Sequence, residues 1–380
     1  MTRKSALFSF SALWLITSCA ATLKPQKETG EELDIRSSPS EAKANAGDWR
    51  PFFRGAPTPD ERIAIQRSLD KWTDTGTVDG LLKKARNELA IGKLVQAEVT
   101  LREAIRRSDN NPETALELVQ IYIRKRDSVR AFETLAQVRD VIRVSDRDHR
   151  ELLFKYRYNL AMAHLLRGDR DRANSILTDL VAIDPKFASG YMALASSYLS
   201  AGKNEVAEFI ARRGLDRGAE DAGLYNVLGL AIERQGRNSE ALASYDRGLQ
   251  LNPAHVPTLI NRGAMAIRAG DCKEGQELMI RALSYSPAES NAHVGLGTCQ
   301  RRSGNGPKAA KAFARAVELD PENATARYNL AMVYSEEKGR EGEAIRLLRE
   351  VLQSSEGNQE VKRLAQVRLR DLEQGDSGEN

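Results

Sequence analysis

Small and large apolar residues recur along this chain with the spacing of paired helices, and no stretch of any length alternates as a strand would. From Phe154 to Asn323 the pattern itself repeats. Cut every thirty-four residues, this stretch falls into five segments that align without insertion or deletion. The fifteenth place reads Gly168, Gly202, Gly236, Gly270, Gly304. The eighth reads Ala161, Ala195, Gly229, Gly263, Gly297, and the twentieth Ala173, Ala207, Ala241, Gly275, Ala309. The thirty-second place reads Pro185, Ala219, Pro253, Pro287, Pro321.

Each place has a physical use. Small side chains at the eighth and twentieth places let two helices approach closely. Glycine at the fifteenth takes the left-handed conformation that ends a first helix. Proline near the thirty-second stops the second helix, because it has no amide hydrogen to donate. Large residues fill the gaps: Leu160, Leu194, Leu228 and Leu296 at the seventh place, and Leu177, Tyr245, Met279 and Phe313 at the twenty-fourth. Taken together these places resemble the tetratricopeptide repeat family, and residues 222–255 lie close to its consensus. The resemblance implies an all-α solenoid of stacked helix–turn–helix units in a right-handed superhelix, its concave face formed by the first helices. As a generic protein-binding scaffold, the repeat leaves the biological role open.

On either side the pattern loosens. A helix is expected from Thr58-Pro59-Asp60-Glu61, with a capping threonine, proline at the first position and glutamate at the third. Two divergent units follow at 78–111 and 112–145, completing an N-terminal region of 58–145. The second has Arg126 where the turn glycine belongs. A charged insertion, 146–153, is expected to lengthen the flanking helices or mark a bend. After the five regular units (154–323), residues 324–373 hold a last unit and a capping helix that buries Val361, Leu364, Val367 and Leu372. That makes about eight units, with 374–380 left as a disordered tail.

The N-terminus reads differently. Arg3 and Lys4 precede an apolar run from Ala6 to Thr17, too short for a spanning helix, which needs roughly 20 residues. Residues 1–18 fit a secretory signal. Leu15-Ile16-Thr17-Ser18-Cys19 resembles a bacterial lipobox, in which Cys19 is lipidated and becomes the first residue. Cleavage after Ala20 is the alternative, giving a soluble periplasmic protein. By analogy with Gram-negative lipoproteins, Ala20 after the cysteine favours the outer membrane, with the chain facing the periplasm. Residues 19–57 are polar and read as a flexible tether. Trp49, Phe52 and Phe53 near its end are either a cap on the first helices or a docking motif.

Composition narrows the chemistry. With 41% hydrophobic, 29% charged and 6% aromatic residues, the chain suits a repeat protein with a large surface and no single core. Its net charge of +4 is spread evenly and leaves no footprint for nucleic acid. None of the four histidines is spaced for a metal. No nucleophile–base arrangement stands out, and no cofactor is expected. The protein reads as non-enzymatic.

Recognition remains. The concave places of the third to fifth units include Tyr158, Met162, Leu165, Met192, Leu199, Asn226 and Leu230, an apolar and methionine-rich row for an amphipathic helix or extended peptide. Part of that row is equally suited to inter-helix core. Arginine recurs at the thirteenth place (Arg234, Arg268, Arg302), either for an acidic partner or to complement helix C-termini. With Cys19 taken by lipid, Cys272 and Cys299 are the remaining thiols. Repeat geometry puts both at one end of a helix pair, as a disulfide in an oxidising compartment or as two buried free cysteines. The architecture resembles pilotin lipoproteins of type IV pili and the tetratricopeptide lipoproteins of gliding motility. It implies protein partners in a cell-envelope complex, with a subunit that recruits a cell-wall enzyme as the rival reading.

Overall fold

The computed structural model describes residues 57–74, 76–108, 111–144, 150–354 and 359–375. These form eighteen α-helices among the described residues. A lone helix, α1 (Pro59–Asp70), precedes eight pairs: α2 (Val78–Ala90) with α3 (Leu94–Arg107), α4 (Pro112–Arg124) with α5 (Ser128–Val144), α6 (Arg150–Arg167) with α7 (Arg170–Ile183), and α8 (Ala188–Ser200) with α9 (Asn204–Asp216). Then come α10 (Ala222–Glu233) with α11 (Asn238–Leu251), α12 (Val256–Arg268) with α13 (Cys272–Tyr285), α14 (Ser290–Arg302) with α15 (Gly306–Leu319), and α16 (Ala324–Ser335) with α17 (Glu341–Gln353). A final helix, α18 (Gln359–Gly375), covers the last pair. Residues 1–56, which hold the expected signal (1–18), Cys19 and all but the last residue of the tether (19–57), lie outside the described residues, as do 376–380 of the expected tail (374–380), whereas Gln374 and Gly375 belong to α18.

The turn inside each pair is fixed by one backbone angle. Gly92, Gly168, Gly202, Gly236, Gly270, Gly304 and Gly339 all take φ between 73° and 95°. After every one of these glycines but Gly339 the next amide reaches back five residues, as from Asp169 to the His164 carbonyl at 2.9 Å; after Gly339, Arg340 donates to the Glu337 carbonyl at 3.1 Å instead. Arg126 makes the same turn at φ 59° with a side chain in place, and Asp127 donates to Tyr122 at 2.9 Å. A non-glycine residue there is strained by roughly 1–2 kcal/mol. Arg126→Gly should therefore raise stability by about 1 kcal/mol in chemical denaturation, the glycine's extra chain entropy offsetting part of the relief. An unchanged or lowered midpoint would refute this.

In the five regular units the second helices stop in two ways. Asp184, Asn252, Ser286 and Asp320, each before a proline, are extended, with ψ of 94°, 94°, 90° and 91°. The fourth unit has Ala219 instead of proline and ends on Gly218 at φ 79°, with Ala219 donating to the Gly214 carbonyl at 3.0 Å.

Within pairs, size is traded between facing places. Tyr245, Met279 and Phe313 are buried against Gly229, Gly263 and Gly297, and a Cβ on Gly297 would lie 2.7 Å from the Phe313 ring. Where the large residue is only Leu177, the facing position is Ala161. The core is accordingly a series of clusters, one joining α6 to α8, the next α8 to α11, then α12 to α14 and α15 to α18. Each unit is stabilised by its neighbours.

Two features lie outside the regular pattern. Helix α6 has 18 residues against 12 or 13 in the other first helices, because Arg150–Leu153 of the expected insertion continue it upstream. In α18 the packed stripe is Val361, Ala365, Leu369 and Leu372, while Leu364 and Val367 are exposed. Ala365, fully buried, is the small residue that lets α18 approach its neighbours. The stripe follows that contact instead of the largest side chains.

Candidate partner groove

Successive first helices touch one another from α4 to α16, whereas second helices of neighbouring units make at most marginal contact. The row in closer mutual contact lies on the inside of the curved stack, so the first helices line the concave side. Four side chains that cross from one first helix to the preceding one are offset by thirty-five residues, one more than the repeat. Asn261 donates its amide to Asn226 Oδ1 at 2.9 Å. Arg234 donates to the Leu199 carbonyl at 2.9 Å, Arg302 to the Ile267 carbonyl, and Arg268 to the Glu233 carboxylate. Arg234 and Arg302 thus cap the C-termini of preceding first helices, where the dipole favours a cation, while Arg268 forms an ion pair at the same end of α10. Glu233 also accepts the hydroxyl of buried Tyr245 at 2.7 Å; burial and that carboxylate push the phenol up from its ordinary pKa.

The predicted row divides. Leu199, 4% exposed, belongs to the core joining α8 to α11 and is removed from the lining. Tyr158 stacks edge-on against Phe187 at 5.3 Å, and burial raises its pKa; it wedges the α6–α8 core as much as it lines the groove. Asn226 spends its carbonyl on Asn261. Met162 and Leu165 on α6, Met192 on α8 and Leu230 on α10 are partly exposed, their inner edges packed on the clusters beneath. A Cβ at Gly223 would clash with Met192, so this glycine lets the α10 backbone meet the methionine.

Models of the tetratricopeptide repeat match residues 156–186, 192–256, 263–318 and 300–359. The chain belongs to the tetratricopeptide repeat family. Proteins of this family act in general as interaction scaffolds, and the fold is generally non-catalytic. Over 214 residues, 54% of this chain, it is 28% identical to the cellulose synthase operon protein C of Xanthomonas axonopodis pv. citri (strain 306), of which it covers only 14%. Among solved structures it is similar to the Cut9–Hcn1 assembly of the APC/C, with a TM-score of 0.58 at 16% identity over 82% of this chain and 59% of that one. It is also similar to human IFIT1, solved as a dimer with m7Gppp-AAAA, with a TM-score of 0.50 at 17% identity over 77% and 72%. These two likenesses show the fold.

Two departures from the repeat pattern were missed in the sequence. At the seventh place of the sixth repeat, Arg262 replaces leucine and is held by Asp246 at 3.1 Å and Glu274 at 2.7 Å. At the joint before α12, His255 Nδ1 accepts the Thr258 amide at 3.3 Å, the bond that Asn323 Oδ1 makes to Ala326 at 3.0 Å two repeats on. Burial holds the pKa of His255 below its ordinary value, the Asp221 carboxylate opposing. The unfolded chain therefore binds this proton more readily. Stability from His255 is complete above the unfolded value of about 6.5 and is lost as pH falls below it. His255→Asn keeps the cap and should flatten the fall in melting temperature between pH 7.5 and 5. An identical pH profile in that variant would count against the assignment.

No described helix is long and apolar enough to cross a membrane.

Proposed function

We propose that this protein is a non-enzymatic scaffold of the bacterial cell envelope, held at the outer membrane by lipid on Cys19 and receiving a helix or extended peptide of a partner protein in its groove. The observation that carries the groove is the partly exposed apolar row Met162, Leu165, Met192 and Leu230 on three successive first helices. The lipobox-like Ile16-Thr17-Ser18-Cys19 supports the anchor, and the polar segment that follows would hold the repeats off the membrane. Its machine would be a pilus or gliding-motility assembly. A second reading, an adaptor for an enzyme of envelope polysaccharide, is favoured by the similarity to the cellulose synthase operon protein.

Two measurements test the proposal. A clickable fatty acid fed to expressing cells should label the wild type and not Cys19→Ala; label on the variant overturns the anchor. Aspartate at both Met192 and Leu230 should lower co-purification of the partner by about tenfold or more while leaving the helical circular dichroism intact. Undiminished co-purification would move the interface off the groove. Mass spectrometry of the co-purified protein separates the pilus or motility reading from the polysaccharide reading.

A further inference from the structure

Among the described helices, α1 is attached unlike the rest. Its start is well formed: Glu61 donates its amide to Thr58 Oγ1 at 3.3 Å, and Thr58 returns its own to Glu61 Oε2 at 2.7 Å. Yet none of its 12 residues is fully buried, and Ile63 is 51% exposed. A helix of this length is marginal by itself in water. At the other end of the array, α18 seats Ala365 at zero exposure.

Beside the half-buried Ile65 and Leu69, polar contacts hold α1. Arg62 Nη2 donates to the Ile91 carbonyl and Nη1 to the Tyr285 carbonyl, both at 3.1 Å. Ile91 is the C-cap of α2, and Tyr285 is the last residue of α13. Carbonyls at helix C-termini lack intrahelical donors and carry the negative end of the dipole. One guanidinium, with two donors diverging from one carbon, therefore joins the first repeat to the sixth, and Arg62 itself lies 223 positions before Tyr285 in sequence. Just past α1, the Lys84 ammonium lies 4.1 Å from the centroid of the Trp72 ring and keeps the connection near α2.

We propose that α1 is a releasable clasp: Arg62, bridging the C-termini of α2 and α13, sets the distance between the first and sixth repeats, and its release lets that part of the superhelix extend. Elements with little buried apolar area open at low free energy, so the clasp can open while the repeats stay folded. This does not depend on what the groove binds.

The test uses the full chain, with Arg62→Ala and Arg62→Lys. Lysine keeps the charge but cannot present the diverging pair of donors. In Arg62→Ala, amides of residues 62–70 should exchange about tenfold faster or more, since two charge-assisted bonds are lost. The radius of gyration from small-angle X-ray scattering should rise, and Arg62→Lys should match alanine in that respect. The main melting transition should stay in place. Unchanged exchange and unchanged radius in Arg62→Ala overturn the proposal. Faster exchange at constant radius also overturns it, since α1 would then be a local cap with no hold on repeat spacing.

Discussion

Phe313→Ala should cost about 3–5 kcal/mol, because the ring is completely buried and its removal leaves a cavity between α14 and α15. The ring fits only because Gly297 faces it. Gly297→Ala alone should therefore cost about 1–3 kcal/mol by overpacking. Phe313→Leu alone leaves a smaller void. The double variant Gly297→Ala with Phe313→Leu copies the Ala161–Leu177 pair of the third repeat, where both residues are fully buried. It should be more stable than Phe313→Leu alone, with a coupling of about 1–3 kcal/mol in a double-mutant cycle. Guanidinium denaturation gives the totals, and hydrogen exchange of α14 and α15 localises them, since each repeat leans on its neighbours. A double variant no better than Phe313→Leu would show that the eighth and twenty-fourth places are filled independently.

That pair also shows why the fold was legible in the sequence. Size and backbone constraints act within one helix pair, so they recur at fixed places. Glycine at φ near 80°, proline after an extended residue and small residues at the crossing each leave a mark every thirty-four positions. Contacts between repeats leave a weaker one. Asn226 and Asn261, or Arg234 and the Leu199 carbonyl, are thirty-five residues apart, so columns aligned at thirty-four never pair them. For the same reason Leu199 looked like groove lining. Its place faces inward, and only the packing of α8 on the following repeat shows that it is covered. The exposed Leu364 and Val367 of α18 show a related limit: a stripe of large residues does not reveal which face a small residue lets approach. The Arg62 bridge spans most of the described array, and no local pattern encodes it.

Loss of the pairing between Cys272 and Cys299 should cost about 3.5 kcal/mol in the chain-entropy model. The structure joins the two sulfurs, with Cα atoms 5.5 Å apart and 27 positions between the residues in sequence. The pair ties the start of α13 to α14, next to the Gly270 turn; Cys299 is fully buried there, and Cys272 packs against the same cluster. Stabilisation by a bridge comes mainly from restricting the unfolded chain, so it should appear only in oxidised protein. Oxidised wild type is expected to unfold at higher guanidinium concentration than wild type in reductant. Cys272→Ala should behave like the reduced wild type and gain nothing from oxidation. Cys272 is the better residue to replace, since it is the less buried of the two and its loss disturbs the core less. Protein purified from an oxidising compartment and denatured without reductant should expose neither thiol to alkylation. Modification of both Cys272 and Cys299 under those conditions would mean that the pair stays reduced and acts only as small apolar packing.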